Sequence, residues 1–165
     1  MNKEKVTVLM GGTSAERDVS LDSGKACAKA LTEIGFDVTS LDAKDDFIKK
    51  LIKNKPDKVF NALHGRFGED GSIQGLLEHL KIPYTHSGIL SSAIAMDKLT
   101  SKKIFKEANI SSPEYLVIKT VKDFQSSKIG YPCVVKPNNE GSSVGVYIFN
   151  EPKKSDEDTV VTLLK

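Results

Sequence analysis

The first segment with residues that could do chemistry runs from Gly11 to Ser20 and reads GGTSAERDVS. It follows an apolar run, so its two glycines are predicted to stand at the carboxyl end of a strand, where backbone N–H groups can approach a ligand closely. The spacing matches neither a dinucleotide-binding G-x-G-x-x-G nor a P-loop, so it does not predict a nucleotide. A carboxylate at such an edge suits the ammonium group of a small substrate, which makes Glu16 the candidate. A strand-to-helix turn with an N-terminal capping set is the alternative.

The second segment, from His64 to Gly71, reads HGRFGEDG and follows another apolar run. In a doubly wound sheet it should lie on the same edge as the first loop, which favours a functional role for His64. The alternative is a structural loop in which Glu69 or Asp70 caps the following helix and Arg66 pairs with an acid. For Glu69 and for Asp70, each taken alone, we accept the interpretation as a structural capping residue.

Two further segments each contain a candidate lysine. Lys98 lies in MDKLTSK, a pattern typical of a solvated lysine on an amphipathic helix. Lys136 ends an apolar strand, and an ammonium group held there suits a phosphate contact. The loop after it has Gly141 and Gly145 around two serines, whose hydroxyl and backbone N–H groups can close over phosphates. A tight hairpin with solvated serines explains the same loop equally well.

Composition limits the class of protein. The chain has 165 residues, of which 39% are apolar, so it is long enough for one average domain or two small ones. Lysine and arginine number 24 against 22 acids, and the net charge of +2 argues against a nucleic-acid partner. The sequence has neither an apolar run long enough for a membrane span nor a signal-peptide pattern. Cys27 and Cys133 are predicted to be buried thiols of a reduced, cytoplasmic protein.

The first half of the chain alternates short apolar runs with helical patterns. This alternation predicts an α/β fold with a doubly wound parallel sheet. The predicted strands are Lys5–Met10, Phe36–Leu41, Val59–Leu63 and Ile82–Thr85. Helices are predicted after Ser20 to about Ile34, over Phe47–Ile52, and after Ser72, which is expected to cap its helix.

The second half has a different pattern, in which a strand–loop–strand hairpin replaces the strand–helix crossover. A helical stretch over residues 91–108, broken near Asp97, precedes it. The other predicted elements are strands Tyr115–Ile118, Cys133–Lys136 and Val144–Phe149, a helix Val121–Ser127, a charged loop Glu151–Asp158, and an uncapped apolar element from Val160. We therefore predict two domains, residues 1–87 and an incomplete 88–165.

Four motifs occur in a fixed order: GGTSAERDVSL, ALHGRFGEDG, MDKLTSK and VVKPNNEGSSVGV. Together they resemble the N-terminal half of the D-alanine–D-alanine ligases, a family of ATP-grasp carboxylate–amine ligases. The resemblance implies a Rossmann-like pre-ATP-grasp domain followed by part of an α+β ATP-grasp subdomain. It also implies ligation of two D-alanines with ATP, through a D-alanyl phosphate, in peptidoglycan precursor synthesis.

The resemblance implies a role for individual residues at the matching motif positions. Glu16 corresponds to the acid that holds the ammonium group of the first D-alanine, and Val19 to a residue that lines that subsite. His64 corresponds to the histidine near the reacting carboxyl group. Ser142 corresponds to the serine that hydrogen-bonds with the glutamate and orients the substrate.

For ATP, the resemblance implies that Lys98 and Lys136 contact the phosphates, which replaces the solvated interpretation of Lys98. The family's ligands for Mg²⁺ or Mn²⁺ lie downstream of the matched motifs, so no metal ligand is predicted in this chain. We therefore expect the chain to be inactive alone and the full-length enzyme to be a homodimer. A D-alanine–D-lactate ligase and a non-catalytic truncated binding module remain the alternatives.

Overall fold

The structure, a computed structural model, describes residues 3–125, 128–153 and 155–164. The chain divides into two compact units, Met1–Met96 and Asp97–Lys165. Within the described ranges, no helix has the length and apolar character needed to cross a lipid bilayer.

A parallel three-stranded sheet in the order β2–β1–β3 forms the centre of the first unit. Its strands are β1 (Lys5–Met10), β2 (Asp37–Asp42) and β3 (Lys58–Asn61). The predicted fourth strand, Ile82–Thr85, is reduced to a single parallel bridge between Val59 and Tyr84. Pro83 has no N–H, so this segment pairs only through its carbonyl and the amide of Thr85. The predicted α/β class with a parallel sheet is confirmed.

Helices cover both faces of this sheet. They are α1 (Arg17–Glu33), α2 (Phe47–Asn54), α3 (Ser72–His79) and α4 (Ile89–Met96). Successive side chains of a strand point to opposite faces. Leu9 accordingly joins the larger apolar cluster, while Val8 and Met10 join the smaller one with Ala28 of α1. The larger cluster also contains Leu51 of α2 and Ile73 and Leu77 of α3. Its other buried members are Leu41 of β2, Val59 of β3 and Leu63 after β3.

The predicted start of α1 is wrong. The helix begins at Arg17, before the predicted Ser20, and its buried residues are Ser20, Gly24 and Ala28. Ile34, the predicted end of the helix, is 72% exposed. The helix lies so close to the sheet that a Cβ on Gly24 would be 2.5 Å from the Cβ of Met10. Small residues, rather than large apolar ones, therefore define the packed face.

The start of α3 also differs from the prediction. Gly71, with φ +93°, is the N-cap residue, and Ser72 is the first helical residue. The side chain of Asp70 accepts the Ser72 N–H at 3.0 Å. Partial burial raises the pKa of Asp70, but the N–H donors of Phe67 and Ser72 outweigh it and leave the pKa below its ordinary value.

Over its described residues, the second unit contains an antiparallel hairpin and three helices. Its elements are α5 (Lys98–Glu107), α6 (Val121–Gln125), β4 (Cys133–Val135), β5 (Tyr147–Phe149) and α7 (Ser155–Leu163). Phe149 is buried and its ring centroid lies 5.8 Å from that of Phe124. The predicted hairpin is confirmed, and so is the helix break at Asp97, whose carboxylate accepts the Thr100 N–H at 2.7 Å.

Two predictions for the second unit are wrong. Residues 115–118 form no strand, since no described strand pairs with them. Residues 155–158 of the predicted charged loop Glu151–Asp158 are helical instead. Three acids in the first turn of α7 favour a helix N-terminus there. The end of the predicted helix at Ser126–Ser127, and Lys165, lie outside the described residues.

Candidate functional site

Two loops of the first unit meet at the carboxyl ends of neighbouring parallel strands. One follows β1 at Gly11, and the other leads from β3 through His64. Ser14 joins them: its hydroxyl donates to the His64 carbonyl at 2.8 Å and accepts the Glu16 N–H at 3.2 Å. This bridge places the two candidate residues, Glu16 and His64, side by side.

A second serine fixes the start of α1 above the strand ends. Ser20 is fully buried, its hydroxyl donates to the Ala62 carbonyl at 2.7 Å, and it accepts the Gly11 N–H at 2.8 Å. One side chain therefore sets the distance between the first turn of α1 and the ends of both strands.

Glu16 is the most unusual charged residue of this edge. It is 2% exposed, and neither carboxylate oxygen accepts a hydrogen bond from a described residue. The Gly65 backbone, at φ +68°, comes so close that a Cβ there would lie 2.7 Å from Glu16 Oε1. A buried carboxylate without partners is costly. The site therefore favours a cationic ligand.

The arginine next to Glu16 is bound elsewhere. Arg17 forms a two-pronged ion pair with Asp42, at 2.8 and 2.6 Å, and donates to the Gly12 carbonyl at 2.8 Å. This hydrogen bond is the largest factor that lowers the pKa of Asp42 to about 2, and the Gly12 N–H adds to it. The pair braces the glycine loop against the end of β2, and Arg17 does not hydrogen-bond with Glu16.

His64 lies between a serine and a glutamate. Ser23 Oγ is 3.1 Å from His64 Nε2, and Glu69 Oε1 is 3.9 Å from His64 Nδ1. The Ser23 hydroxyl also lies within donating distance of two carbonyls of its own helix, that of Val19 at 2.8 Å and that of Ser20 at 3.3 Å. In the tautomer that carries its hydrogen on Nε2, His64 donates to Ser23 and presents the Nδ1 lone pair towards Glu69.

Sequence reasoning did not assign Ser23 to the site and gave Glu69 only a structural role. The other oxygen of Glu69 accepts the Gly65 N–H at 2.7 Å, so this residue also shapes the loop. The spacing of Ser23 from Glu16, two helical turns, could have placed both on one face of α1.

Two buried amide side chains hold the loop that follows His64. The sequence analysis missed them as well. Asn61 Nδ2 and Gln74 Nε2 both donate to the Gly68 carbonyl, at 2.9 and 3.0 Å. Asn61 Oδ1 also accepts the Leu63 N–H at 3.1 Å. A lone asparagine within the apolar run VFNAL was the available signal.

Val19, the predicted lining residue, lies on α1 three positions after Glu16 and is 51% exposed. Beside the same loops, a cavity of about 390 Å³ has walls that include His64 and Ser14 together with apolar side chains of α2 and α3. Glu16 and Val19 are not among its lining residues.

In the second unit, Lys98 is tied to the loop that follows β4. Its Nζ donates to the carbonyls of Glu140 and Asn138, at 2.5 and 3.2 Å. The Asn138 side chain in turn donates to Asp97 at 2.7 Å and accepts the Leu99 N–H at 2.9 Å. These contacts anchor the start of α5 to the loop, so the initial interpretation of Lys98 as a solvated lysine is wrong.

The same loop has an unusual backbone. Ser142 and Ser143 have φ values of +43° and +62°, a region that non-glycine residues rarely adopt. Turns closed by Val144 N–H to the Gly141 carbonyl and Val146 N–H to the Ser143 carbonyl hold this shape. Such strain is concentrated at ligand-binding loops. The exposed Lys136 follows β4 directly, and the predicted roles of Lys136 and Ser142 stay predictions.

A parallel sheet with a buried carboxylate, unpartnered among the described residues, at the carboxyl ends of its strands defines an α/β protein with a candidate small-ligand site at that edge. Comparison with known families is more specific. Residues 40–87 match the family model described as D-ala D-ala ligase N-terminus, and residues 104–158 match D-ala D-ala ligase C-terminus. The chain belongs to the D-alanine–D-alanine ligase family.

Individual relatives agree with this assignment. The chain is 52% identical over 151 residues to a D-alanine–D-alanine ligase of a Ruegeria species, covering 92% of this chain and 49% of that protein. A Cereibacter sphaeroides ligase is 56% identical over 145 residues, covering 87% and 47%. The Bacillus anthracis ligase solved in complex with ATP superposes with a TM-score of 0.75 at 34% identity, covering 99% and 52%. The chain thus spans about half the length of the relatives it matches.

Proposed function

We propose that this chain supplies the first amino-acid subsite and part of the ATP site of a ligase that joins two D-alanines. The observation that carries the proposal is Glu16, a buried carboxylate without a hydrogen-bond partner among the described residues, beside His64. An amino-acid ammonium group would neutralise Glu16 and hydrogen-bond to its oxygens. The names of the relatives, D-alanine–D-alanine ligase, support the choice of amino acid.

The proposed reaction has two steps. The carboxylate of the first D-alanine attacks the γ-phosphorus of ATP, which forms D-alanyl phosphate and releases ADP. The amine of the second D-alanine then attacks the acyl carbon, loses a proton, and the tetrahedral intermediate expels inorganic phosphate as the peptide bond forms. The acyl phosphate replaces a poor electrophile with a good one, so the protein has mainly to position reactants and stabilise anions.

Within the first unit, the proposed division of work follows the geometry. Glu16 would hold the ammonium group, Val19 would line the subsite, and the imidazole of His64 would lie near the reacting carboxyl group. Ser23 holds the ring through Nε2, as described above. The predicted role of Ser142 in orienting the substrate is part of the same proposal.

Lys98 and Lys136 are proposed to contact the phosphates of ATP. The ATP complex of the Bacillus anthracis relative supports the use of this nucleotide. Lys98 donates to two carbonyls, so a phosphate oxygen would have to replace one of its present partners. The strained serine loop offers hydroxyl and backbone N–H donors beside it.

Magnesium does not fit the described residues. The one described group of three close His, Cys, Asp or Glu side chains consists of Glu16, His64 and Glu69. It includes an imidazole, whereas Mg²⁺ prefers oxygen ligands and water in an octahedron. We therefore propose that Mg²⁺ or Mn²⁺ is held outside these residues and that the chain alone does not turn over. Cytoplasmic ATP and peptidoglycan precursors make the cytoplasm the proposed location, with a homodimer as the full-length form.

A binding experiment tests the subsite directly. Saturation-transfer NMR on the 165-residue chain should show D-alanine binding in preference to L-alanine. Glu16→Gln should weaken it about tenfold or more, since a charged hydrogen bond is lost. Glu33→Gln removes one exposed charge from α1 and is the matched control. Equal binding of both enantiomers, or no effect of Glu16→Gln, would contradict the proposal.

A turnover experiment tests the activity. The full-length protein that contains this chain should release ADP and form D-alanyl-D-alanine, whereas the chain alone should release no D-alanine-dependent ADP. Supplying D-lactate beside D-alanine across pH distinguishes the D-lactate alternative by its ester product. If the full-length protein bound D-alanine without releasing ADP, the binding-module alternative would replace the ligase.

A further inference from the structure

Three side chains of types that bind metal ions converge at the edge of the sheet. One oxygen of Glu16, one oxygen of Glu69 and one ring nitrogen of His64 all lie within 4.8 Å of one another. Glu16 is 2% exposed and has no hydrogen-bond partner among the described residues. The buried carboxylate is thus an independent sign that a cation belongs here.

The contacts of the two His64 ring nitrogens agree with a cation site. In the tautomer with its hydrogen on Nε2, His64 donates that N–H to Ser23 at 3.1 Å, and Nδ1 is an acceptor. Nδ1 faces Glu69 Oε1 at 3.9 Å, too far for a hydrogen bond and unfavourable for two lone pairs. An imidazole that coordinates through one nitrogen and donates from the other is the usual arrangement of a metal-bound histidine.

We infer that Glu16, His64 and Glu69 form a three-ligand site for Zn²⁺, which competes with the amino-acid ammonium group for the same acceptors. Zinc accepts mixed nitrogen and oxygen ligands, and a site with three protein ligands leaves a fourth position open. Its bonds of about 2.0–2.2 Å require the three side chains to move together by about 1 Å. Metal binding stands on these residues alone; only the competition rests on the proposed function.

The ligand set argues for zinc against the hard cations. Imidazole and carboxylate together suit Zn²⁺, whereas Mg²⁺ and Ca²⁺ are expected to bind here weakly. Two glutamates and a neutral histidine carry two negative charges, which a divalent ion balances and an ammonium group balances only in part. Zinc would therefore act as an inhibitor of amino-acid binding.

Isothermal titration with ZnCl₂ tests the site. The whole 165-residue chain is used with Cys27→Ser and Cys133→Ser, because free thiols are alternative zinc ligands. Glu69→Gln should weaken zinc binding about 100-fold, and Ser23→Ala, which releases the ring, about 10- to 100-fold. Glu78→Gln removes one exposed charge from α3 and should change the dissociation constant less than about twofold. Loss of zinc binding in all variants alike, or in none, would overturn the site.

Competition is measured in the same titration. D-alanine should raise the apparent dissociation constant for zinc more than L-alanine does, since both enantiomers chelate free zinc equally. If zinc binds with the expected variant pattern but D-alanine does not compete, the shared site is wrong. If zinc does not bind while D-alanine binding still depends on Glu16, the metal site is wrong and the proposed function stands.

Discussion

Replacement of Ser20 by alanine should destabilise the first unit more than any other single hydroxyl removal on α1. The Ser20 side chain is fully buried, and its oxygen serves both the Gly11 N–H and the Ala62 carbonyl. The space left by one oxygen atom is too small for a water molecule. Both backbone groups would therefore lose their partner without a substitute.

The expected magnitude follows from those two groups. Each buried group left without a partner costs about 1–3 kcal/mol, and some relaxation of the loop lowers the sum. We expect Ser20→Ala to reduce the free energy of unfolding by about 2–4 kcal/mol. Thr32→Ala is the control, because Thr32 donates from the exposed end of α1 to the Ala28 carbonyl of its own helix. That change should cost less than about 0.5 kcal/mol.

Urea denaturation followed by far-ultraviolet circular dichroism measures the difference. Hydrogen exchange at the Gly11 amide gives a local reading, because this N–H donates to the Ser20 hydroxyl. Its protection should fall with Ser20→Ala and stay unchanged with Thr32→Ala. If Ser20→Ala costs no more than Thr32→Ala, the buried serine does not hold the strand ends, and the reasoning fails.

Two further changes test the Arg17–Asp42 ion pair and the packing of α1 on the sheet. The folded pKa of Asp42 is about 2, below its ordinary 3.8, which converts to about 2 kcal/mol; since 41% of the side chain is exposed, screening reduces this to about 1 kcal/mol. Because the folded pKa is depressed, the ion pair with Arg17 stabilises the fold above about pH 4, and this contribution is lost towards pH 2. In acid titrations, the difference in stability between wild type and Asp42→Asn should therefore shrink between pH 4 and pH 2. Gly24→Ala should cost about 1–3 kcal/mol in urea denaturation, since its Cβ would lie 2.5 Å from that of Met10. Gly75→Ala, whose Cβ has only an ordinary contact at 3.7 Å, should be neutral or stabilising, and an equal cost for both would contradict the packing argument.

Hydrophobic patterns predicted the elements whose burial depends on large apolar side chains. The strand at Lys5–Met10 and the hairpin strands near Cys133 and Phe149 are cases where the pattern and the structure agree. The pattern failed for α1, because Gly24 allows a close approach to the sheet and small residues carry no apolar signal. It also failed at residues 115–118, where apolar character does not supply a pairing strand.

The candidate site was predictable only in part for a similar reason. Glycines and charges after predicted strands placed Glu16 and His64 at one edge, since parallel strands end together. Ser14 and Ser23 make contacts that span about 40 to 50 positions in sequence, to His64 in both cases. A hydroxyl's choice of partner depends on distances of a few tenths of an ångström, which spacing alone does not determine.

Glu16 and Arg17 are neighbours of opposite charge, yet the fold directs them to different partners. Asp42 at the end of β2 engages the guanidinium with both oxygens, and the Gly12 carbonyl takes a further N–H. An arginine fixed by three hydrogen bonds is not available to swing towards the adjacent carboxylate. The Arg17–Asp42 pair therefore holds the glycine loop and also leaves Glu16 uncompensated, as the proposed binding of an ammonium group requires. A loop with a free arginine at this position would neutralise its own binding site.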